Sequence, residues 1–203
     1  ERNKEAADTE NRYILRCKNT DKICIFTDRG QMHLLKVLDL PYGKFRDKGT
    51  PIDNLSNYNS SEENLVYIAP MADIRQKKLL FGTKTAMLKL VSGAEFDVAK
   101  RTTAATKLNE GDMVLFVHPV AESDHIVMQS AKDMFLRIEA GTIPEKKKGA
   151  VGVRGMRLAS GDQLEAIYLL REEDEPVSVR IKDKEVVLNR LHVANRDTKG
   201  VKR

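Results

Sequence analysis

The feature that most constrains this chain is that it repeats one order of parts about every 50 residues. Three stretches read as an apolar strand, a short polar turn and a second strand. The first is Ile23-Cys24-Ile25-Phe26, Thr27-Asp28-Arg29-Gly30, Gln31-Met32-His33-Leu34-Leu35-Lys36-Val37. The second is Leu79-Leu80-Phe81, Gly82-Thr83-Lys84-Thr85, Ala86-Met87-Leu88-Lys89-Leu90-Val91. The third is Ile126-Val127-Met128-Gln129, Ser130-Ala131-Lys132-Asp133, Met134-Phe135-Leu136-Arg137-Ile138. This is hairpin chemistry. On this reading Met32, Met87 and Met134 hold equivalent places.

A basic, small-residue stretch leading into another strand follows each hairpin. Its versions are Lys44-Phe45-Arg46-Asp47-Lys48-Gly49-Thr50-Pro51-Ile52, Lys100-Arg101-Thr102-Thr103-Ala104-Ala105-Thr106-Lys107-Leu108 and Lys146-Lys147-Lys148-Gly149-Ala150-Val151-Gly152-Val153-Arg154. A polar turn comes next, marked by Gly111-Asp112 and Gly161-Asp162 in two copies, and a closing strand ends the repeat. A fourth copy is incomplete: a hairpin turns at Lys182-Asp183-Lys184, and Arg196-Asp197-Thr198-Lys199-Gly200 matches the basic stretch.

Four-stranded units of this length point to an all-β, propeller-like ring of about four antiparallel blades. The repeats fall near 18–69, 70–119, 120–170 and 171–203, within one domain over 1–203. A strand at 13–17 is expected to close the incomplete last blade. Residues 93–101 are the best short-helix candidate and could equally be loop. A pair of β-sandwiches is the plainer alternative, but it does not require a recurring order of parts.

Charge follows the repeat. The 35 Lys and Arg against 30 Asp and Glu leave only +5, yet residues 146–157 hold five basic side chains and no acidic one. Residues 100–107 hold three and none, residues 44–48 three against one, and residues 196–203 four against one. Acidic residues gather near the repeat junctions, as at Glu62-Glu63 and Glu172-Glu173-Asp174-Glu175. In a ring, a stretch that recurs once per blade builds one continuous positive band, which suits a polyphosphate backbone. Gly49, Ala104, Ala105, Gly149 and Gly152 would let that backbone approach and offer it amide donors. The plain reading of any single run is a solvated loop; four in register favour a function. The runs lack the interleaved aromatics of single-strand stacking platforms, Phe45 apart.

Other functions find little support. No apolar run approaches the ~18–20 residues of a membrane helix. Glu1 opens a polar segment, so no signal peptide and no membrane partner are expected. Cys17 and Cys24 read as incidental or buried thiols of a cytoplasmic protein. His33, His118, His125 and His192 have no metal-ligand spacing, and a structural role is expected for His33. Phosphate-binding glycine motifs and a nucleophile elbow are absent. No catalytic residue and no metal site is expected.

The order of parts resembles the C-terminal domain of the A subunit of bacterial type IIA topoisomerases, DNA gyrase and topoisomerase IV. The residues that carry the resemblance are Phe26-Thr27-Asp28-Arg29-Gly30-Gln31, Lys36-Val37-Leu38-Asp39-Leu40-Pro41 and Lys48-Gly49-Thr50-Pro51-Ile52-Asp53-Asn54-Leu55. Gly149-Ala150-Val151-Gly152-Val153-Arg154-Gly155-Met156-Arg157-Leu158 with Gly161-Asp162 looks like the same repeat core. The resemblance covers residues 13–202. It implies a β-pinwheel, whose blades exchange strands with their neighbours, and double-stranded DNA as the partner on the basic outer edge. Carried over residue by residue, the DNA-binding positions are Lys44, Arg46, Lys48, Lys100, Arg101, Lys107, Lys146, Lys147, Lys148, Arg154, Arg157, Arg196 and Lys199.

It further implies two protein partners, the ATPase B subunit together with the remainder of the topoisomerase A subunit. The location it implies is cytoplasmic and nucleoid-associated. ATP and Mg²⁺ belong to the parent enzyme, and no cofactor is expected for this domain. The box Gln-Arg-Arg-Gly-Gly-Lys-Gly that gyrase wrapping needs occurs nowhere in the 203 residues. Either it lies in a blade upstream of Glu1, or the chain is topoisomerase IV-like with degenerate repeats; the second is preferred. The alternatives are a protein-interaction propeller with no DNA role and, further off, a propeller enzyme with a central-channel site.

Overall fold

The computed structural model describes residues 11–44 and 46–203. Three four-stranded antiparallel sheets and a two-stranded one follow each other along the chain. In the first, β1 (Lys22–Thr27) and β2 (Gln31–Lys36) form the hairpin, flanked by β3 (Leu65–Pro70) and β6 (Thr102–Ala104). In the second, β4 (Lys78–Thr83) and β5 (Met87–Ser92) are flanked by β7 (Val114–Val120) and β10 (Val153–Arg154). In the third, β8 (His125–Ser130) and β9 (Met134–Glu139) are flanked by β11 (Leu164–Leu170) and β14 (Val201–Lys202). The last sheet is the hairpin β12 (Ser178–Ile181) with β13 (Lys184–Val187). Each four-stranded sheet therefore takes one edge strand from the following repeat, which is the strand exchange of a β-pinwheel.

The hairpins form because each turn supplies an amide bond and a left-handed residue. The amides of Gly30, Ala86 and Asp133 donate to the carbonyls of Thr27, Thr83 and Ser130 at 3.0–3.1 Å. All three residues have positive φ, at 73°, 63° and 58°, the geometry of a type I turn closed by a bulge. Counting from these residues sets the true equivalence. Gln31, Met87 and Met134 correspond, and Met32 matches Leu88 and Phe135 by pairing with Phe26, Gly82 and Gln129. The expected Met32–Met87–Met134 alignment is thus off by one residue at the first copy, because the left-handed residue, not the methionine, sets the register.

The first strands are apolar on successive residues because blades are covered on both faces. Cys24 and Phe26 face the second sheet, where they join Leu79, Phe81, Val91 and Phe96. The Phe26 and Phe96 rings meet edge to face at 5.0 Å. Leu80, Leu88 and Leu90 meet Ile126, Met128 and Leu136 of the third sheet. Val127, Phe135 and Leu170 meet Val186, Leu188 and Leu191 of the last repeat. Cys24 is an inert packing thiol, pushed up to about 12 mainly by burial.

A short helical turn caps the second hairpin strand of each repeat: η1 (Val37–Asp39), η3 (Gly93–Phe96), η4 (Ala140–Thr142) and η5 (Leu188–Arg190). The candidate helix at 93–101 is one of these single turns. A fifth turn, η2 (Ile52–Asn54), stands where the first basic stretch was expected to lead into a strand. That segment folds back instead: Ile52, Leu55 and Tyr58, with Val37, Leu40 and Leu15, cover Ile23, Ile25 and Leu35 on the outer face of the first sheet. Residues 13–17, expected to close the last blade, form no strand. Leu15 is engaged at the first sheet, and the Tyr13 hydroxyl reaches the Val66 carbonyl at 3.5 Å. The α-helix α1 (Met71–Ile74) links the first and second sheets. Among the described residues no helix is long and apolar enough to cross a membrane.

Two edges organise the molecule. The closing strands β3, β7 and β11 lie beside one another and form the hub. The exchanged strands β6, β10 and β14 stand at the opposite edge of their sheets and form the rim. Gly152 shows how tightly the rim is joined. A Cβ there would lie 2.7 Å from the Leu88 carbonyl oxygen and 3.0 Å from its nitrogen, main-chain atoms that do not yield. Gly152→Ala is expected to lower stability by about 1–3 kcal/mol, read by urea unfolding; an unchanged midpoint would mean that β10 is not packed on β5 as described.

Candidate nucleic-acid interface

The basic stretches of the second, third and fourth repeats occupy the same topological place. Lys100 and Arg101 immediately precede β6, Lys146, Lys147 and Lys148 precede β10, and Arg196 and Lys199 precede β14. Each stretch therefore runs onto the rim. Main-chain bonds fix the crossing: the Arg101 carbonyl accepts from Leu34 at 2.7 Å, and Lys146 donates to the Leu90 carbonyl at 2.8 Å. Gly155 donates to the Ala86 carbonyl at 2.7 Å, the same bond that Ala105 makes to Gly30 at 2.8 Å.

Lys44, Arg46 and Lys48 are exposed, but their loop crosses no preceding sheet. It closes on itself through Asp47, which accepts from the Lys44 amide at 2.7 Å. Its neighbour Phe45 lies outside the described residues. The fourfold band expected from sequence is thus built into sheet edges at three places. The first repeat's charges sit on the loop leading to the cover of the first sheet's outer face.

The third and fourth stretches touch. Arg196 donates to the Arg154 carbonyl at 2.7 Å, and Asp197 donates its amide to the Gly155 carbonyl at 2.8 Å. The Asp197 carboxylate lies 3.0 Å from Arg154 Nε and 3.7 Å from Arg157 Nε. One carboxylate therefore holds two of the expected DNA-binding arginines, and both remain more than half exposed. Arg101 lies 3.8 Å from Asp39. Among the described residues, the Lys44, Arg46, Lys48, Lys100, Lys107 and Lys199 side chains make no ion pair.

The lysine run divides by role. Lys146 Nζ donates to the Val151 carbonyl at 3.3 Å, and Lys148 Nζ donates to the Glu95 carbonyl at 2.9 Å. Both are half-buried and bind their own chain. Lys147 projects outward with its side chain 88% exposed, and Glu95 Oε1 lies 3.4 Å from its Nζ. The small residues divide likewise. Gly49 and Gly149 face open space, whereas Ala105 is buried, its amide taken by Gly30, and Gly152 is packed on Leu88. Close packing of blades, and not approach of a backbone, explains Ala105 and Gly152.

Sequence reasoning missed Lys89. It sits on β5, only 1% exposed, and its ammonium donates to the carbonyls of Lys147, Lys148 and Ala150 at 3.1, 2.9 and 2.7 Å. The corresponding position in the first repeat is His33, buried between Thr102 Oγ1 at 2.9 Å and Glu63 Oε1 at 2.6 Å. In the third it is Leu136. The signal was a charged residue in a strand whose neighbours on both sides are apolar; in a blade covered on both faces such a residue has no solvent side. Among the described residues no group of three or more His, Cys, Asp or Glu could hold a metal ion.

Burial lowers Lys89 from 10.5 to about 8, with Glu95 opposing and Lys146 adding to the shift. Between pH 8 and 10.5 the unfolded chain holds a proton that the folded chain has released. Lys89 thus contributes more stability as pH rises through that window. Denaturant unfolding at pH 7.5 and 9.5 is expected to show the unaltered chain gaining stability relative to Lys89→Met. A gap that stays constant would contradict the lowered ammonium.

Comparison with known proteins fits this arrangement. The family described as "DNA gyrase C-terminal domain, beta-propeller" matches residues 77–121 and 124–171, which hold the second and third hairpins. The DNA gyrase A subunit of Lawsonia intracellularis is 29% identical over 193 residues, covering 90% of this chain and 23% of that protein. Its Escherichia coli counterpart is 26% identical over 160 residues, covering 78% of this chain and 18% of the relative. The chain thus spans less than a quarter of these relatives. Among solved structures, the C-terminal domain of DNA topoisomerase IV superposes with a TM-score of 0.85 at 21% identity, covering 98% of this chain and 66% of that one. The DNA gyrase A C-terminal domain gives 0.67 at 19% identity, covering 91% and 60%. The exchanged rim strands, the repeat order and these matches together make the chain a β-pinwheel similar to the C-terminal domains of bacterial type IIA topoisomerase A subunits.

Proposed function

We propose that this chain binds duplex DNA along its rim and, without catalysing any step, guides strand passage by a type IIA topoisomerase. The observation that carries this reading is the placement of three basic stretches directly before three exchanged rim strands. A band of Lys and Arg on a curved edge contacts phosphates without reading bases, and releases counterions as it does so. DNA following that edge must bend, at a cost that depends on its sequence. Lys100, Lys107, Lys147 and Lys199 are the outward charges of this band. Arg154, Arg157 and Arg196 form its densest patch, and Lys44, Arg46 and Lys48 extend it on the first repeat. Lys146, Lys148 and Arg101 belong to the same loops and shape them.

The partners of this reading are duplex DNA, the ATPase B subunit, plus the remainder of the A subunit, in a nucleoid-associated location. We assign ATP and Mg²⁺ to other parts of the parent enzyme and propose no cofactor for this domain. A topoisomerase IV-like role is preferred, because the gyrase wrapping box is absent from the 203 residues. A gyrase role is the second reading, favoured by the names of the sequence relatives. Ligating nicked plasmid in the presence of the chain separates the two: a shifted topoisomer distribution means wrapping, and retained binding without a shift means a topoisomerase IV-like role. A protein-interaction propeller would bind plasmid at neither low nor moderate salt.

Single substitutions sharpen the test. Lys147→Glu is expected to weaken duplex binding several-fold for all sequences alike and to reduce the salt slope by about 1. Asp197→Asn frees Arg154 and Arg157 from their shared anion, and is expected to tighten binding by about two- to fivefold at low salt. Fluorescence anisotropy across a salt series measures both. Unchanged affinity in both variants would place the DNA elsewhere.

A further inference from the structure

The loop at residues 146–151 carries the longest basic run, yet three of its carbonyls point inward. They converge on Lys89 Nζ at 2.7–3.1 Å. An ammonium has three N–H donors and no acceptor, so this set is complete: one donor for each carbonyl. The Phe81 ring centroid lies 5.8 Å from the same nitrogen. From the other side Glu95 ties the loop down, its carboxylate accepting from the Lys148 amide at 3.0 Å and its carbonyl accepting from Lys148 Nζ at 2.9 Å. A loop whose carbonyls are gathered on a buried cation must turn other groups outward, and Lys147 is the side chain so presented.

We propose that Lys89 is a positioning residue for the DNA-contacting rim: its ammonium fills a three-carbonyl cage and locks the loop of residues 146–151 in the form that presents Lys147 to a phosphate backbone. This rests on the DNA-binding reading above. Lys89 touches no DNA; it acts through main-chain carbonyls, so its hold on the loop does not depend on the side chains the loop carries, whereas its effect on DNA binding does. Without it three buried acceptors lose their partner, the loop loosens, and ordering it on DNA opposes binding. The Lys89 position is specific to the second repeat. At the matching place His33 binds the side chains of Thr102 and Glu63, and Leu136 is apolar, so neither matching position gathers the main-chain carbonyls of its rim loop.

The experiment is a mutant cycle on duplex affinity at fixed salt, with amide hydrogen exchange at residues 146–151. Lys89→Met is expected to keep the far-UV circular dichroism of a folded chain, to lose protection at residues 146–151, and to weaken duplex binding several-fold, by no more than Lys147→Glu does. The background variant is Lys146→Ala, Lys147→Ala, Lys148→Ala, which keeps every carbonyl of the cage. Adding Lys89→Met to it is expected to change affinity by less than about twofold. Should Lys89→Met unfold the chain, Lys89→Gln, with two N–H donors for three carbonyls, takes its place. An equal loss in both backgrounds, or unchanged exchange at residues 146–151, overturns the proposal. Absence of duplex binding by the unaltered chain overturns the DNA reading itself, and is told apart because hydrogen exchange at residues 146–151 reads the cage without DNA.

Discussion

The main-chain pairing of β6, β10 and β14 with hairpins of the preceding repeat is the constraint on which the rest of this molecule depends. Each exchanged strand is only two or three residues long, too short to hold a sheet by itself. What secures it is the crossing around it: the bonds to the left-handed turn residues Gly30 and Ala86, and the packing of Gly152 and Gly155 against Leu88. Once the crossing is fixed, the residues before it have no freedom to lie anywhere but the rim. The basic stretches acquire their common placement from this, and not from any attraction among themselves.

Hub and rim divide the chemistry accordingly. Towards the hub the closing strands carry buried apolar residues, Val117 in the core between the first and second sheets and Ile167 in the core between the second and third. At the hairpin turns polar groups accumulate, and the chain satisfies them locally. Asp112 accepts from the amide and hydroxyl of Thr85, and Asp28 accepts from the amide and side chain of Asn64. These aspartates hold turns and are not available to a ligand. Glu95 and Asp197 are different: each sits among the cations proposed to face DNA, and sets how much of that charge is free.

Much of this was legible in the sequence because hairpins and tight turns are local. Thr27-Asp28-Arg29-Gly30 and its copies announce their own geometry, and the Gly-Asp turns fall where expected, with Gly111 and Gly161 at positive φ. The basic stretches were visible as composition. What could not be read is what depends on a partner far away in sequence. The fold-back of residues 52–58 onto the first sheet follows from an uncovered apolar face, which no local pattern reveals. Lys89 drew no reading of its own from sequence; only the arrival of a loop 58 residues later makes it a buried cation with three carbonyl partners. Lys146 and Lys148 failed the opposite way, counted as free charges when their own loop consumes them.

Strand exchange also sets an order in time. During synthesis the hairpin of β1 and β2 is complete at Lys36, but its rim partner is Thr102–Ala104. The second hairpin likewise waits from Ser92 until Val153–Arg154. No blade of this chain can finish before much of the next has left the ribosome, so each nascent sheet carries an unpaired edge for the time needed to add about 60 residues, several seconds at ~5–20 residues per second. That open edge is the point at which two emerging copies could pair with each other, and the two- and three-residue length of the missing strands keeps such a mispairing weak.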